Sequence, residues 1–404
     1  MVGKEEKSAP LTHSHWRRLM LILLFGNMVA GIAFSEVMPF LPFFLRDLGN
    51  FSTHQLNSFS ALVFSSTYFT ALFLSPVWGK LGDRFGRKPI LLLSAMGAAL
   101  TIGAFTMVTN VWAFIGLRLL QGAFAGYFSN TNALLAAEVP KEKGGYALGT
   151  LAIGFITGSL LGPLIGGVIG SLVGYRLTFL LASFLLIGVF FINLFGVDET
   201  NRRPWRKRSS LQHVRFNDFP KKKIIVNLYL TALLIQIGNN SISPIQPLYV
   251  AQLMNNTGNV NLMNGLVASA PGVSCLLMSS YFGKLGDRIG TERILKVSLL
   301  ATVCFLLPMS FVTNIGQLAL LQLLIGLSDA ALMPAVSILL AKNTPISMSS
   351  SIFGYNQSFQ SAGIVIGPFL GSYAANLFGY RGVFLMAALI FCGLVVINKS
   401  TRYQ

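Results

Sequence analysis

Acidic side chains are scarce: Asp and Glu together number 13 among 404 residues, and all charged types make up only 11% of the chain. An ordinary soluble domain carries about 25% charge. With 53% apolar residues, such a chain has too little polar surface to face water, which excludes a soluble globule and points to a lipid bilayer. Histidine is also rare. His13, His15, His54 and His213 all lie outside the apolar stretches, so no metal site and no metal-dependent hydrolase are expected. The three cysteines, Cys275, Cys304 and Cys392, fall inside apolar runs without a C-x-x-C pair, and they read as buried packing residues, not as a disulfide. There is no G-x-x-x-x-G-K-[ST] phosphate loop and no nucleophile–base constellation. An enzyme is therefore not expected, and ATP is not the expected energy source.

What the chain has in abundance is long apolar stretches. Twelve can be marked, near 19–45, 58–78, 89–109, 112–136, 146–170, 177–197, 224–253, 261–282, 294–313, 317–341, 351–376 and 380–397. Most reach the roughly 20 residues that a helix needs to cross a hydrocarbon core. The net charge of +17 would suit nucleic acid, but 26 of the 30 Lys and Arg fall in the terminal segments and alternate loops on one side. That asymmetry is the positive-inside rule, so nucleic acid is not an expected partner and both termini are expected in the cytoplasm. The first apolar run is too long for a signal peptide and lacks a small-residue cleavage site, so it reads as an uncleaved helix. The expected organisation is an N-terminal segment (1–18), a six-helix bundle (19–197), a basic linker (198–223), a second six-helix bundle (224–397) and a tail (398–404).

The chain is written twice. GKLGDRFGRKP at 79–89 returns as GKLGDRIGTER at 283–293. Pro39-Phe40-Leu41-Pro42 corresponds to Pro244-Ile245-Gln246-Pro247, GSLLGPLIG at 158–166 to GIVIGPFLG at 363–371, and Gly122 to Gly326. Six helices per copy is an even number, so both copies enter the membrane in the same sense, related by an axis along its normal. Halves of that kind commonly rock against each other around a central site.

These motifs resemble those of the major facilitator superfamily. GKLGDRFGRK resembles the signature of the loop between helices 2 and 3. LRLLQG at 117–122, with Arg118, resembles the helix 4 signature of proton-coupled members, and GSLLGPLIGG at 158–167 resembles the helix 5 antiporter motif found mainly in exporters. Over residues 18–397 the pattern resembles the twelve-helix drug:proton antiporters. The resemblance implies an all-α integral membrane protein with the major facilitator fold, twelve transmembrane helices in two pseudo-symmetric bundles, residing in the bacterial inner membrane.

Each motif also has a physical reading. Gly79, Gly82 and Gly86 permit tight turns and close backbone approach. Asp83 can accept from a helix N-terminus or from Arg87, and with Arg84 it forms an expected gate; the family resemblance implies the start of helix 11 as its partner. The bland alternative is a solvated turn obeying the charge asymmetry. The second copy keeps Asp287 and Arg288 but has Thr291 where Arg87 stands, which predicts a weaker lock. Gly158, Gly162 and Gly166 recur every four residues and line one helix face, with Gly167 beside them, so that another helix can approach closely. Pro163 bends that helix.

Three ionisable residues lie inside the spans: Glu36, Arg118 and Asp329. A charge at that depth is costly, and such residues mark an ion or substrate path or form a structural pair. Counting about 1.5 Å per residue from the outer helix ends, Glu36 and Arg118 lie at similar heights and could pair, while Asp329 falls near the middle. Asp329 or Glu36 is the expected proton carrier, with Arg118 modulating it. Gln121, Gln236, Asn239, Asn240, Asn356 and Gln360, with Tyr68 and Tyr355, are candidate cavity residues, because amides facing lipid would be expensive; the competing reading of each is an interhelical hydrogen bond. The expected function is proton-coupled export of small amphipathic, drug-like compounds by a single chain drawing on a proton gradient without a cofactor. The alternatives are a sugar or other metabolite exporter or importer of the same fold, and a non-transporting scaffold.

Overall fold

The computed structural model describes residues 15–37, 40–140, 143–199, 221–344 and 349–400. Fourteen helices run through them: α1 (His15–Ser35), α2 (Leu41–Asp47), α3 (Thr53–Phe85), α4 (Arg87–Ala104), α5 (Val111–Ala123), α6 (Tyr127–Glu138), α7 (Gly144–Val173), α8 (Tyr175–Gly196), α9 (Lys222–Ile242), α10 (Gln246–Leu253), α11 (Val260–Ile289), α12 (Thr291–Met309), α13 (Ile315–Lys342) and α14 (Ser349–Ser400). They join into twelve membrane-length rods. The first, fourth and seventh rods are broken into α1/α2, α5/α6 and α9/α10, and α14 is two rods joined at Gly379, whose φ of 69° and ψ of 179° leave the helical region.

Among the described residues, nine stretches are long and apolar enough to cross a membrane by length and composition alone, and Tyr355–Asn398 spans 44 residues, enough for two crossings. The other two rods are α3, whose side chains at 75, 76, 79, 80 and 83 lie outside the described residues, and α12, which carries Glu292, Arg293 and Lys296 in its first two turns. The outward flank is apolar, with Phe73, Leu100, Trp112, Phe184, Leu277 and Leu389 all exposed, as a lipid-facing surface requires.

The repeat holds at the level of single contacts. Gly158 lies on Met28 and Gly31 of α1, Gly162 on Ile32 and Gly166 on Glu36. In the second half Gly363 lies on Leu233 of α9, Gly367 on Ile237 and Asn240, and Gly371 on Ser241. A Cβ at Gly162 would stand 2.7 Å from the Ile32 carbonyl oxygen, and one at Gly363 would stand 2.6 Å from that of Leu233. The spacing-of-four glycines are thus the contact by which α7 meets α1 and α14 meets α9. Gly122 on Thr67 and Gly326 on Pro271 repeat the same device.

A second duplicated phrase escapes the motif reading. Gly174-Tyr175-Arg176 recurs as Gly379-Tyr380-Arg381, and both glycines turn the chain at positive φ, 82° and 69°. Arg176 donates to the carbonyls of Thr106 and, at 2.8 Å, Val108, which holds the short 3-10 turn Phe105–Met107 between α4 and α5. Asn110 and Asn314 likewise occupy matching places, each side chain accepting the backbone N–H three residues on (2.8 and 2.9 Å) as the cap of α5 and α13. Two hydrophobic cores result, one mainly within each half.

The cysteine reading needs correction. Cys304 and Cys392 are exposed and Cys275 is half-buried. In lipid both faces of a helix are apolar, so an apolar run does not tell the core side from the outside.

Candidate functional site

The halves meet along two seams, α7 against α11 and α3 against α14. Call the end that carries the twin basic loops the loop end, and the opposite one the far end. Hydrogen bonds cross the seams at the far end: Asn57 Nδ2 donates to Asn376 Oδ1 at 2.8 Å, and Asn261 Nδ2 donates to Tyr175 Oη at 3.2 Å. Backbone contact reinforces them, because a Cβ at Gly167 would stand 2.6 Å from the carbonyl oxygen of Asn261 and 3.2 Å from the Gly265 Cα. Deeper in, Ser65 Oγ donates to the Val365 carbonyl at 2.9 Å.

Beneath this closure lies a cavity of about 380 Å³ shared by both halves. Its two walls differ. The N-terminal half supplies Phe34, Phe64, Tyr68 and Phe155, backed by Phe128, whose ring centroid lies 4.3 Å from that of Phe155. The C-terminal half supplies Asn239, Ser243, Gln246, Asn264, Gln322 and Asp329. On α13, Gln322, Ile325 and Asp329 stand at i, i+3 and i+7 and so share the face that lines the cavity. Asn239 Nδ2 donates to Asp329 Oδ1 at 3.0 Å, a bond from amide to carboxylate between α9 and α13.

Of the intramembrane charges, only Asp329 lines this cavity. Glu36 sits at the α1/α2 break beneath Gly166, 1% exposed, and its Oε1 has no hydrogen-bond partner among the described residues. Glu36 and Arg118 do not pair. Arg118 is 1% exposed and turns to its own half, donating through Nη1 to Gln121 Oε1 at 2.9 Å and through Nε to the Val63 carbonyl at 3.3 Å. Similar height is not proximity, because α1 and α5 present these side chains to different neighbours.

The candidate cavity amides divide in the same way. Asn239 and Tyr68 line the cavity. Gln121 is committed to Arg118, while Gln236 and Asn240 bond each other at 3.0 Å and pack toward Gly363 and Gly367. Asn356 is buried elsewhere, Gln360 is half-buried and Tyr355 is 43% exposed; none of the three lines the cavity. Sequence reasoning passed over Gln246 and Gln322, whose side chains bond across the cavity wall, Gln322 Nε2 donating to Gln246 Oε1 at 2.7 Å. Two signals pointed there: Gln246 lies inside the repeated Pro-x-x-Pro, and Gln322 stands at the repeat position of Arg118.

In the twin loops, Gly86 and Gly290 turn the chain at φ 98° and 96°. The Gly79, Asp83 and Asp287 side positions lie outside the described residues. Arg84 and Arg288 are exposed, Arg84 lying over the Phe85 ring at 5.1 Å. In the first loop Glu199 accepts from the backbone N–H groups of Arg87 and Lys88 at 2.9 and 3.2 Å, closing the α4 N-terminus; in the second, Lys342 Nζ donates to Thr291 Oγ1 at 3.3 Å.

Comparison with known proteins agrees with this architecture. The chain is 43% identical over 386 residues to the multidrug resistance protein MdtG of Salmonella typhi (95% of this chain, 94% of that protein) and 42% identical over 389 residues to that of Escherichia coli O17:K52:H18 (96% and 94%). The solved structure of the nucleoside transporter NupG superposes with a TM-score of 0.77 at 14% identity over 95% of this chain and 98% of that one, a likeness of fold. The family model of the Major Facilitator Superfamily matches at residues 23–255 and again at 228–399, and the chain belongs to that superfamily.

Proposed function

We propose that this protein is a multidrug efflux transporter, exporting small amphipathic compounds from a bacterial cell by alternating access in exchange for protons. The observation that carries the reading is the cavity between the halves, with an aromatic wall on one side and Asp329 on the other. An apolar pocket with a few convergent polar groups is the form a drug-sized site takes, and a carboxylate facing it from within the membrane can load and release a proton as the halves rock. The naming of its relatives as multidrug resistance proteins supports the same reading. In this scheme the protein acts as a single chain in the inner membrane with both termini in the cytoplasm, draws its energy from the proton gradient, and opens alternately at the loop end and the far end.

The test uses purified protein in liposomes with an acidified lumen. Adding lipophilic aromatic compounds should alkalinise the lumen, and Asp329→Asn should abolish that signal. A response to neutral sugars alone would replace efflux of drugs with export or import of metabolites, and no proton movement with any compound would refute transport coupled to protons. One further observation favours a second proton carrier, the buried Glu36 oxygen without a hydrogen-bond partner among the described residues. If the Asp329→Asn protein still moves protons and Glu36→Gln does not, Glu36 carries them.

A further inference from the structure

The paired amides of Gln246 and Gln322 join α10 to α13 at the cavity wall and stand apart from the far-end closure and from the bond between Asn239 and Asp329. Gln246 is the first residue of α10, set by the prolines at 244 and 247, and Gln322 lies two turns before Asp329 on α13. Both line the cavity, at 8% and 5% exposure, and both are joined by a single 2.7 Å hydrogen bond. A side-chain amide carries two N–H donors and a carbonyl with two lone pairs. The mutual bond uses one donor and one lone pair. Three N–H groups and three lone pairs are left, and no other side-chain hydrogen bond engages them among the described residues. These groups face the cavity and are free to meet a ligand or water there.

The opposite wall offers nothing comparable. Phe34, Phe64 and Phe155 have no donors, Tyr68 has one hydroxyl, and the hydroxyls of Ser35 and Ser159 donate to the carbonyls of Gly31 and Ile156, each in its own helix. At the repeat position of Gln322 the first half has Arg118, which is turned away into its own half. The hydrogen-bonding capacity of the cavity is therefore gathered on one side, in the amide pair, Asn239 and Asp329, and its ring-binding capacity is gathered on the other.

We propose that Gln246 and Gln322 together are the specificity-determining element of this cavity, selecting ring-bearing amphipaths whose polar head carries hydroxyl or amide groups over lipophilic cations that lack them. The pair both donates and accepts, so it matches a head that does the same. A site built to hydrogen-bond such a head discriminates against a ligand without it, because the site's own polar groups are then left unpaired. This inference rests on the efflux reading for the cavity, and it assigns the substrate class.

Two probes separate the classes. Chloramphenicol presents an aromatic ring with two hydroxyls and an amide; tetraphenylphosphonium presents rings and a charge with no hydrogen-bonding group. Binding of each to purified protein in detergent is followed by tryptophan fluorescence, for wild type and for the Gln246→Leu/Gln322→Leu double variant. Replacing both partners by apolar groups of similar size can be close to neutral for folding; should the double variant fail to elute as a single species, Gln246→Met/Gln322→Met carries the same comparison. The expected result is that chloramphenicol affinity falls at least about tenfold while tetraphenylphosphonium stays within about twofold. An equal fall for both probes would make the pair structural and overturn the proposal, as would no change for either. A wild-type protein that binds neither probe would overturn this proposal and the efflux reading together, whereas intact binding with unaltered selectivity overturns this one alone.

Discussion

Gly162 and Gly167 are five residues apart on α7, yet they contact different bodies, and the same substitution should do different things at each. Gly162 faces α1 inside its own half, and Gly167 faces Asn261 and Gly265 of α11 across the seam. In Gly167→Ala the new methyl would stand 2.6 Å from the Asn261 carbonyl oxygen, roughly half an ångström or more inside normal contact. Overpacking of that kind costs about 1–3 kcal/mol, but here it applies only while the far end is closed, because opening the seam removes the clash. At 1.4 kcal/mol per factor of ten, the closed state should lose about 5- to 150-fold in relative population. In Gly162→Ala the clash with the Ile32 carbonyl at 2.7 Å persists however the halves are disposed, so its cost falls on folding. The assay places one reporter cysteine at Ala268, a cavity-lining residue on α11, in a background with Cys275, Cys304 and Cys392 replaced by serine, and measures its labelling from the far end by a membrane-impermeant maleimide. Gly167→Ala should raise the labelling rate with little change in thermal midpoint, and Gly162→Ala should lower the midpoint with little change in labelling. If both variants lower the midpoint alike and neither alters labelling, the assignment of these glycines to separate bodies is refuted.

The same assay reads the polar contacts of the closure. Asn57→Ala removes the bond to Asn376, and Asn261→Ala removes the paired donor and acceptor contacts to the Tyr175 hydroxyl, so each should increase far-end labelling at least about fivefold for a loss of about 1 kcal/mol or more, and the double variant should show the product of the two because the sites lie on different seams; a double variant no more accessible than either single would show one shared latch. At the start of α4, Glu199→Gln should lower the thermal midpoint, since a neutral amide is a weaker partner than a carboxylate for the N–H groups of Arg87 and Lys88, and an unchanged midpoint would remove it as a cap. Asp47, at the end of α2, has its carboxyl raised above the ordinary value by burial, with Arg176 opposing. A raised carboxyl keeps its proton more readily in the folded chain than in the unfolded one, so this group's contribution is fully present below the unfolded value and is lost as pH rises through the folded one. Asp47→Asn should therefore flatten the fall in stability as pH rises from the unfolded value through the folded one, and a fall as steep as in wild type would refute the attribution.

The parts of the fold legible in the sequence were those written in one-dimensional periods. Apolar runs of membrane length gave the rods, and the offset of about 204 gave the halves; the spacing of Gly158, Gly162 and Gly166 gave a helix contact because residues four apart share a face. Where the reading fell short, the reason was that a neighbour hundreds of positions away decides where a side chain goes. Gln236, Asn239 and Asn240 share a side of α9, but about 100° separates successive residues, enough for Asn239 to reach Asp329 while Gln236 and Asn240 satisfy each other. Glu36 and Arg118 were matched in height, a coordinate that sequence supplies, and unmatched in direction, which it does not.

The amide pair shows how the repeat itself could have been used more fully. Two halves with the same backbone contacts need not have the same chemistry, and positions where the copies agree in place but differ in side chain are where one half has been given a separate task. Gly122 and Gly326 agree, and both do packing. Arg118 and Gln322 disagree, and so do Leu41 and Gln246, Ala125 and Asp329, Glu36 and Ser241. Three of those four contrasts put the hydrogen-bonding or ionisable residue on the cavity wall of the C-terminal half; the fourth puts a buried carboxylate against the α7 glycines of the N-terminal half. Packing is thus carried by what the copies share. The asymmetry of the cavity, rings on one wall and amides with a carboxylate on the other, is carried by what they do not, so comparing the copies position by position finds the site that motif matching passed over.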